Sequence, residues 1–108
     1  MTQIPMILER KIFRALLDVI ILANMPENGP TSGYDIMKLC QKKFGIKVSP
    51  STIYSILFKL EKDRLIQGGF QYKKRVYSIT KEGKRNLSKV TMNKEKLRNF
   101  FDEIINIK

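Results

Sequence analysis

The side chains best equipped to bind something lie between Ser49 and Lys59. Ser49, Ser51, Thr52 and Ser55 bring hydroxyls, Tyr54 a phenol and Lys59 an ammonium, and no carboxylate intervenes before Glu61. Small hydroxyls at the start of a helix can approach a phosphate closely, where free backbone N–H groups and the positive end of the helix dipole also favour an anion. Catalysis finds much less material. The 108 residues include no histidine and a single cysteine, Cys40, and they contain no glycine-rich phosphate loop and no paired acidic motif. The commonest general base and the usual zinc ligands are therefore missing. No enzymatic activity, no metal and no cofactor is expected.

Those hydroxyls need a helix to present them, and the local signals supply one. Ser49 suits an N-cap and Pro50 the first helical position, where a missing N–H costs nothing. Ile53, Ile56, Leu57 and Leu60 recur at helical spacing, so one face is apolar and the opposite face carries the hydroxyls. The spacing predicts a helix over 50–63. Tyr54 fits either the border of the core or a phosphate contact. Upstream, Ser32 reads as another N-cap, with a helix over 33–44 that buries Ile36, Met37, Cys40 and Phe44 and ends at Gly45. Two short helices joined by a tight connection form the helix-turn-helix pattern.

The flanks complete a winged arrangement. A first helix over 6–24 is followed by a breaker, Pro26-Glu27-Asn28-Gly29-Pro30. After Asp63 the apolar period shortens, and Phe70, Tyr72, Val76, Tyr77 and Ile79 favour strands. This predicts a wing over 65–80, a hairpin turning at Tyr72-Lys73-Lys74-Arg75. Its three cations could reach a nucleic-acid backbone or minor groove. Thr80 caps a long last helix whose Leu87, Val90, Leu97, Phe101 and Ile104 form a heptad-like seam broken at Lys94. Such a seam is buried either by folding back on its own domain or by pairing with a second chain. The second reading assigns dimerisation to Phe13 and Leu17 of the first helix together with Val90, Leu97, Phe101 and Ile104. The expected fold is thus mainly α with a small β-hairpin: a winged helix-turn-helix over 1–80 and a C-terminal dimerisation helix over 81–108.

Charge points the same way. The formal net charge is +11, and between Lys38 and Arg75 ten basic residues face only Glu61 and Asp63. A polyanion is the natural partner, nucleic acid before an anionic membrane surface. Arg10, Lys11 and Arg14 spread through the first apolar segment and argue against a secretory signal. No apolar stretch approaches the ~20 residues of a membrane span. With one cysteine, a reducing cytoplasmic setting is expected.

Three segments resemble one known family. Gly33-Tyr34-Asp35-Ile36 is similar to the Gly-Tyr-acidic-Ile signature that opens the second helix of PadR-like regulators. Val48 to Glu61, with Leu65-Ile66, resembles that family's recognition helix and its exit, and Val76 to Gly83 resembles its second wing strand and entry to the last helix. The resemblance implies a dimeric transcriptional regulator, usually a repressor, on palindromic double-stranded DNA. It also implies a small phenolic or drug-like effector, although the sequence has no tryptophan for an indole platform and its wing is short. By position it places Tyr34, Ser51, Thr52, Tyr54, Ser55, Lys73, Lys74 and Arg75 at or near DNA, and the capping hydroxyl of Ser49 and the ammonium of Lys59 on the same helix are expected to join them. Two alternatives are a non-specific architectural DNA binder and a winged-helix module for protein partners. The latter needs an apolar recognition face, for which Phe58 is the one large candidate.

Overall fold

Residues 3–106 are described by a computed structural model. In chain order they form α1 (Ile4–Ala15), α2 (Leu17–Ala23), β1 (Thr31–Ser32), α3 (Gly33–Phe44), α4 (Pro50–Lys62), β2 (Ile66–Gln71), β3 (Lys74–Ile79), α5 (Lys81–Met92) and α6 (Lys94–Ile105).

Hydroxyl caps set three of the helix starts. Before α3, Ser32 Oγ accepts from the Asp35 N–H while Asp35 Oδ2 accepts from the Ser32 N–H, a reciprocal capping box. Ser49 Oγ accepts from the Thr52 N–H ahead of α4, and Thr80 Oγ1 accepts from the Gly83 N–H ahead of α5. Gly45 ends α3 in the left-handed region, with φ of 67°, which releases the chain into the short connector to α4.

The core forms where the helix-turn-helix meets α2 and the sheet. Leu17, Ile21 and Leu22 of α2, Ile36 and Cys40 of α3, and Ile53, Leu57 and Leu60 of α4 pack with Phe13, Met25, Ile66 and Tyr77. Cys40 is fully enclosed, and burial pushes its thiol pKa up, so it behaves as a small apolar residue.

The sheet differs from a simple hairpin. Its strand order is β1-β3-β2, all antiparallel, with Thr31 and Ser32 paired to Tyr77 and Val76. This two-residue strand ties the start of α3 to the wing. Two residues are too few for a periodic signal, and their partners lie more than forty residues away. The wing turn is also tighter than expected. Only Tyr72 and Lys73 form it, both with positive φ (51° and 63°), while Lys74 and Arg75 belong to β3 and pair with Gln71 and Phe70. A two-residue loop with φ positive at both positions is a type I′ turn, whose twist matches that of the strands.

Both long helices read from the sequence are interrupted. The expected helix over 6–24 starts at Ile4 and breaks at Leu16, where ψ rises to 14°. Hydrogen bonds continue through the break, from Leu16 N–H to Ile12 O and from Ile20 N–H to Leu16 O, so the helical ladder is not unwound there. Three side chains of α2 are drawn into the core, whereas α1 buries only Phe13. The expected helix over 81–108 breaks at Asn93, whose side-chain amide donates to Lys89 O and competes with the backbone ladder. Residues 107–108 lie outside the described region.

No residue of α6 is buried. The Cα radius of gyration is 15.5 Å, against ~13 Å for a compact chain of this length, so the molecule is drawn out.

Candidate nucleic-acid interface

Successive residues of α4 step round its axis by 100°. Ile53, Leu57 and Leu60 point inward and are buried, with Ile56 half-buried beside them. The opposite line runs Ser51, Ser55, Phe58, Lys62, all exposed, with Tyr54 on one flank and Thr52 and Lys59 on the other. At the N-terminal end, Ser49 Oγ lies 2.9 Å from Thr52 Oγ1 and 3.3 Å from Ser51 Oγ. Three hydroxyls thus cluster at the positive end of the helix dipole, in open solvent.

Tyr54 and Tyr34 extend this face onto α3. A side chain at position 33 would put its Cβ 2.7 Å from the Tyr54 ring, so Gly33 lets the tyrosine lie flat over the start of α3. The requirement is space, since φ at Gly33 is not positive. Tyr34 is exposed beside it, with the Lys38 ammonium 5.3 Å from its ring centre. The Tyr54 ring packs across the helix pair, and the residue remains 45% exposed.

The wing adds cations, but not all are free. Lys73 and Lys74 are exposed at the tip next to Tyr72, which is 93% exposed. Arg75, read from the sequence as a third tip cation, turns back towards α4. Its Nη2 lies 2.8 Å from Glu61 Oε1 and 3.0 Å from Oε2, and its guanidinium carbon sits 5.5 Å from the Tyr77 ring centre and 5.6 Å from that of Phe70. Hydrogen bonding to the Glu61 carboxylate raises the Arg75 pKa further. Glu61 Oε2 also accepts from the Gly68 N–H of β2 at 3.1 Å, and a Cβ at Gly68 would meet that carboxylate at 2.6 Å. One acidic side chain therefore fastens the last turn of α4 to both wing strands. Sequence reasoning noted Glu61 only as an isolated carboxylate, because its partner fourteen residues on becomes a neighbour only through the hairpin register.

Glu61→Gln should loosen this attachment while leaving the fold intact, since partly exposed ion pairs contribute about 1 kcal/mol or less. Amide exchange at Gly68 is expected to accelerate by about fivefold, corresponding to ~1 kcal/mol of local opening, with little change in melting temperature. NMR hydrogen exchange reads both effects, and unchanged Gly68 protection would deny the carboxylate its role.

The expected dimer contacts divide. Phe13 and Leu17 are 4% and 2% exposed within a single chain. Phe13 meets the ring of Phe44 at 5.3 Å between centroids in a tilted pair, and Phe13 and Leu17 both belong to the protomer's own core. Val90, Leu97, Phe101 and Ile104 are exposed, and α1 shows Ile4, Ile7, Leu8 and Ile12 alongside Leu16. Sequence periodicity marked Phe13 and Leu17 as apolar but could not say which surface would cover them. Among the described residues no group of three histidine, cysteine, aspartate or glutamate side chains could hold a metal, and no helix is long and apolar enough to cross a membrane.

Comparison with known proteins places this arrangement. A transcriptional regulator from Clostridium thermocellum superposes with a TM-score of 0.73 at 26% identity, over 88% of this chain and 95% of the other. A PadR-like transcriptional regulator from Bacillus cereus gives 0.70 at 22%, over 91% and 99%. Bacillus subtilis PadR, solved in complex with operator DNA, gives 0.61 at 24%, over 83% of this chain and 59% of that one. No curated protein matches. Residues 21–89 match the family model described as the transcriptional regulator PadR-like family. With that match spanning more than half of its length, from α2 through α5, the chain belongs to the PadR-like family of transcriptional regulators, which are DNA-binding transcription factors and not enzymes.

Proposed function

We propose that this protein is a cytoplasmic repressor that binds palindromic double-stranded DNA as a homodimer, with α4 in the major groove and the wing on adjacent backbone. The carrying observation is the outer face of α4, which gathers hydroxyls, a phenol and ammonium groups and is fastened through Glu61 to a wing tipped by Lys73 and Lys74. The B. subtilis relative of the same fold was solved in complex with operator DNA, which supports DNA as the partner. Ser49, Ser51, Thr52, Ser55, Tyr34 and Tyr54 are assigned to phosphate and base edges, and Lys59, Lys73 and Lys74 to phosphate. Arg75 is assigned to holding the wing. The exposed apolar surfaces of α1 and α6 are assigned to the second protomer, and any small-molecule effector would act by altering how they pair.

Phosphate contacts release counterions, so affinity for a duplex should fall linearly on a log–log plot against salt, with a slope of about −0.9 per phosphate neutralised. Lys73→Ala with Lys74→Ala should flatten that slope by about 2 and weaken binding similarly on all sequences. Fluorescence anisotropy on a duplex selected from a random pool measures both. The proposal fails if the wild-type shows no binding at micromolar protein, or binding that salt does not affect.

A further inference from the structure

Phe58 is 70% exposed in the middle of the outward line of α4, between Ser55 and Lys62. Among the described residues it takes part in no aromatic pair and no cation contact. A large apolar ring left in water at the centre of a binding face is a cost that an occupant would recover.

The composition of α4 narrows what that occupant is. Pro50–Lys62 contains no arginine, asparagine, glutamine or histidine, which leaves Lys59 and Lys62 as its only side chains able to read guanine through paired hydrogen bonds and none that reads adenine so. Its one carboxylate, Glu61, is engaged by Gly68 and Arg75 and so is not free to accept from cytosine. The remaining hydroxyls bond to any base. The distinctive apolar feature of a major groove is the 5-methyl group of thymine, and Phe58 is the largest apolar group on this face able to meet it, the Thr52 methyl lying at the helix start. Lys59 and Lys62 flank the ring, and Lys73 and Lys74 lie on the wing, a setting that suits a polyanion better than an apolar protein patch.

We infer that Phe58 is a specificity-determining residue that recognises a thymine methyl in each half-site. The inference rests on the duplex-binding function proposed above and adds to it a base and a chemical group. Specificity on α4 is then carried chiefly by an apolar contact, with the hydroxyls seating the helix on the backbone.

Replacing single thymines by deoxyuridine in the selected duplex deletes only the methyl and keeps the base pair. For the wild-type protein, one position per half-site should weaken binding by about fourfold, the effect of exposing one methyl-sized group. Phe58→Ala should bind the thymine duplex more weakly and show no penalty on uracil substitution, while its salt slope stays at the wild-type value because no charge is removed. Phe58→Leu, which keeps an apolar tip, should show an intermediate penalty. Because position 58 is exposed, both variants should fold, which circular dichroism checks. Three outcomes overturn the inference while leaving the proposed function standing: a wild-type protein indifferent to uracil at every thymine, a uracil penalty that persists in Phe58→Ala, or Phe58→Ala binding the selected duplex as well as wild-type. Absence of duplex binding by the wild-type protein would remove the functional reading and this one together.

Discussion

Phe101→Lys combined with Ile104→Lys is expected to yield a folded monomer that has lost about 100-fold or more of its affinity for a two-half-site duplex. Ile104 is 64% exposed and α6 buries nothing, so the substitutions remove no intrachain core. They do place charges on the surface proposed to be shared. In a two-fold interface each substitution appears twice, so four ammonium groups would crowd one apolar seam. A monomer would still engage one half-site through α4 and the wing. It would lose the effective concentration that makes the second contact intramolecular, a factor of 10² to 10⁴ in linked systems. Size-exclusion chromatography with light scattering gives the mass, and anisotropy on full-site and half-site duplexes gives the affinities. A dimer that persists, or a monomer that binds the full site like wild-type, would show that α6 does not join the protomers.

Gly83→Ala should produce the largest loss of stability. A Cβ there would collide with the carbonyl oxygen of Leu65 and lie 2.7 Å from Ile79 Cγ1. The carbonyl cannot easily retreat, because it already accepts from the Thr80 N–H at 3.1 Å and from Thr80 Oγ1 at 3.0 Å. Overpacking against fixed backbone costs about 3 kcal/mol, and at roughly 4 °C per kcal/mol for a domain of this size the midpoint should fall by ~12 °C. Gly69→Ala is the internal control: its Cβ would meet nothing within 4 Å, and the midpoint should move little. Thermal unfolding followed by circular dichroism separates the two. Equal shifts would mean that the close seat of α5 on the base of the wing is not where the stability resides.

The devices readable in the sequence are local. Ser32, Ser49 and Thr80 announce helix starts because a cap reaches only three residues ahead, and Gly45 announces an end because one residue's φ decides it. The apolar faces of α3 and α4 follow from spacing alone. What stayed hidden depends on tertiary pairing. The strand at Thr31–Ser32 exists only because β3 lies beside it, and the breaks at Leu16 and Asn93 carry neither proline nor glycine to mark them. The candidate site shows the same division. The hydroxyl face of α4 was legible. The diversion of Arg75 to Glu61 was not, because it needs the register of a hairpin whose turn is two residues shorter than the sequence suggests. Phe13 and Leu17 were read as apolar, correctly, yet apolarity does not say whether a second chain or the same one supplies the cover.

The wing turn carries a further consequence. A two-residue loop with left-handed backbone at both positions is the setting in which Asn-Gly folds most easily, yet this chain holds a tyrosine and a lysine there. Each residue is held in a region that costs a non-glycine side chain roughly 1–2 kcal/mol. The tip of the wing is thus built against its own folding preference: the hairpin carries conformational debt for a phenol and an ammonium that point away from the core. A chain selected for hairpin stability alone would shed them. Under the function proposed above, the wing tip is the segment where folding and recognition compete.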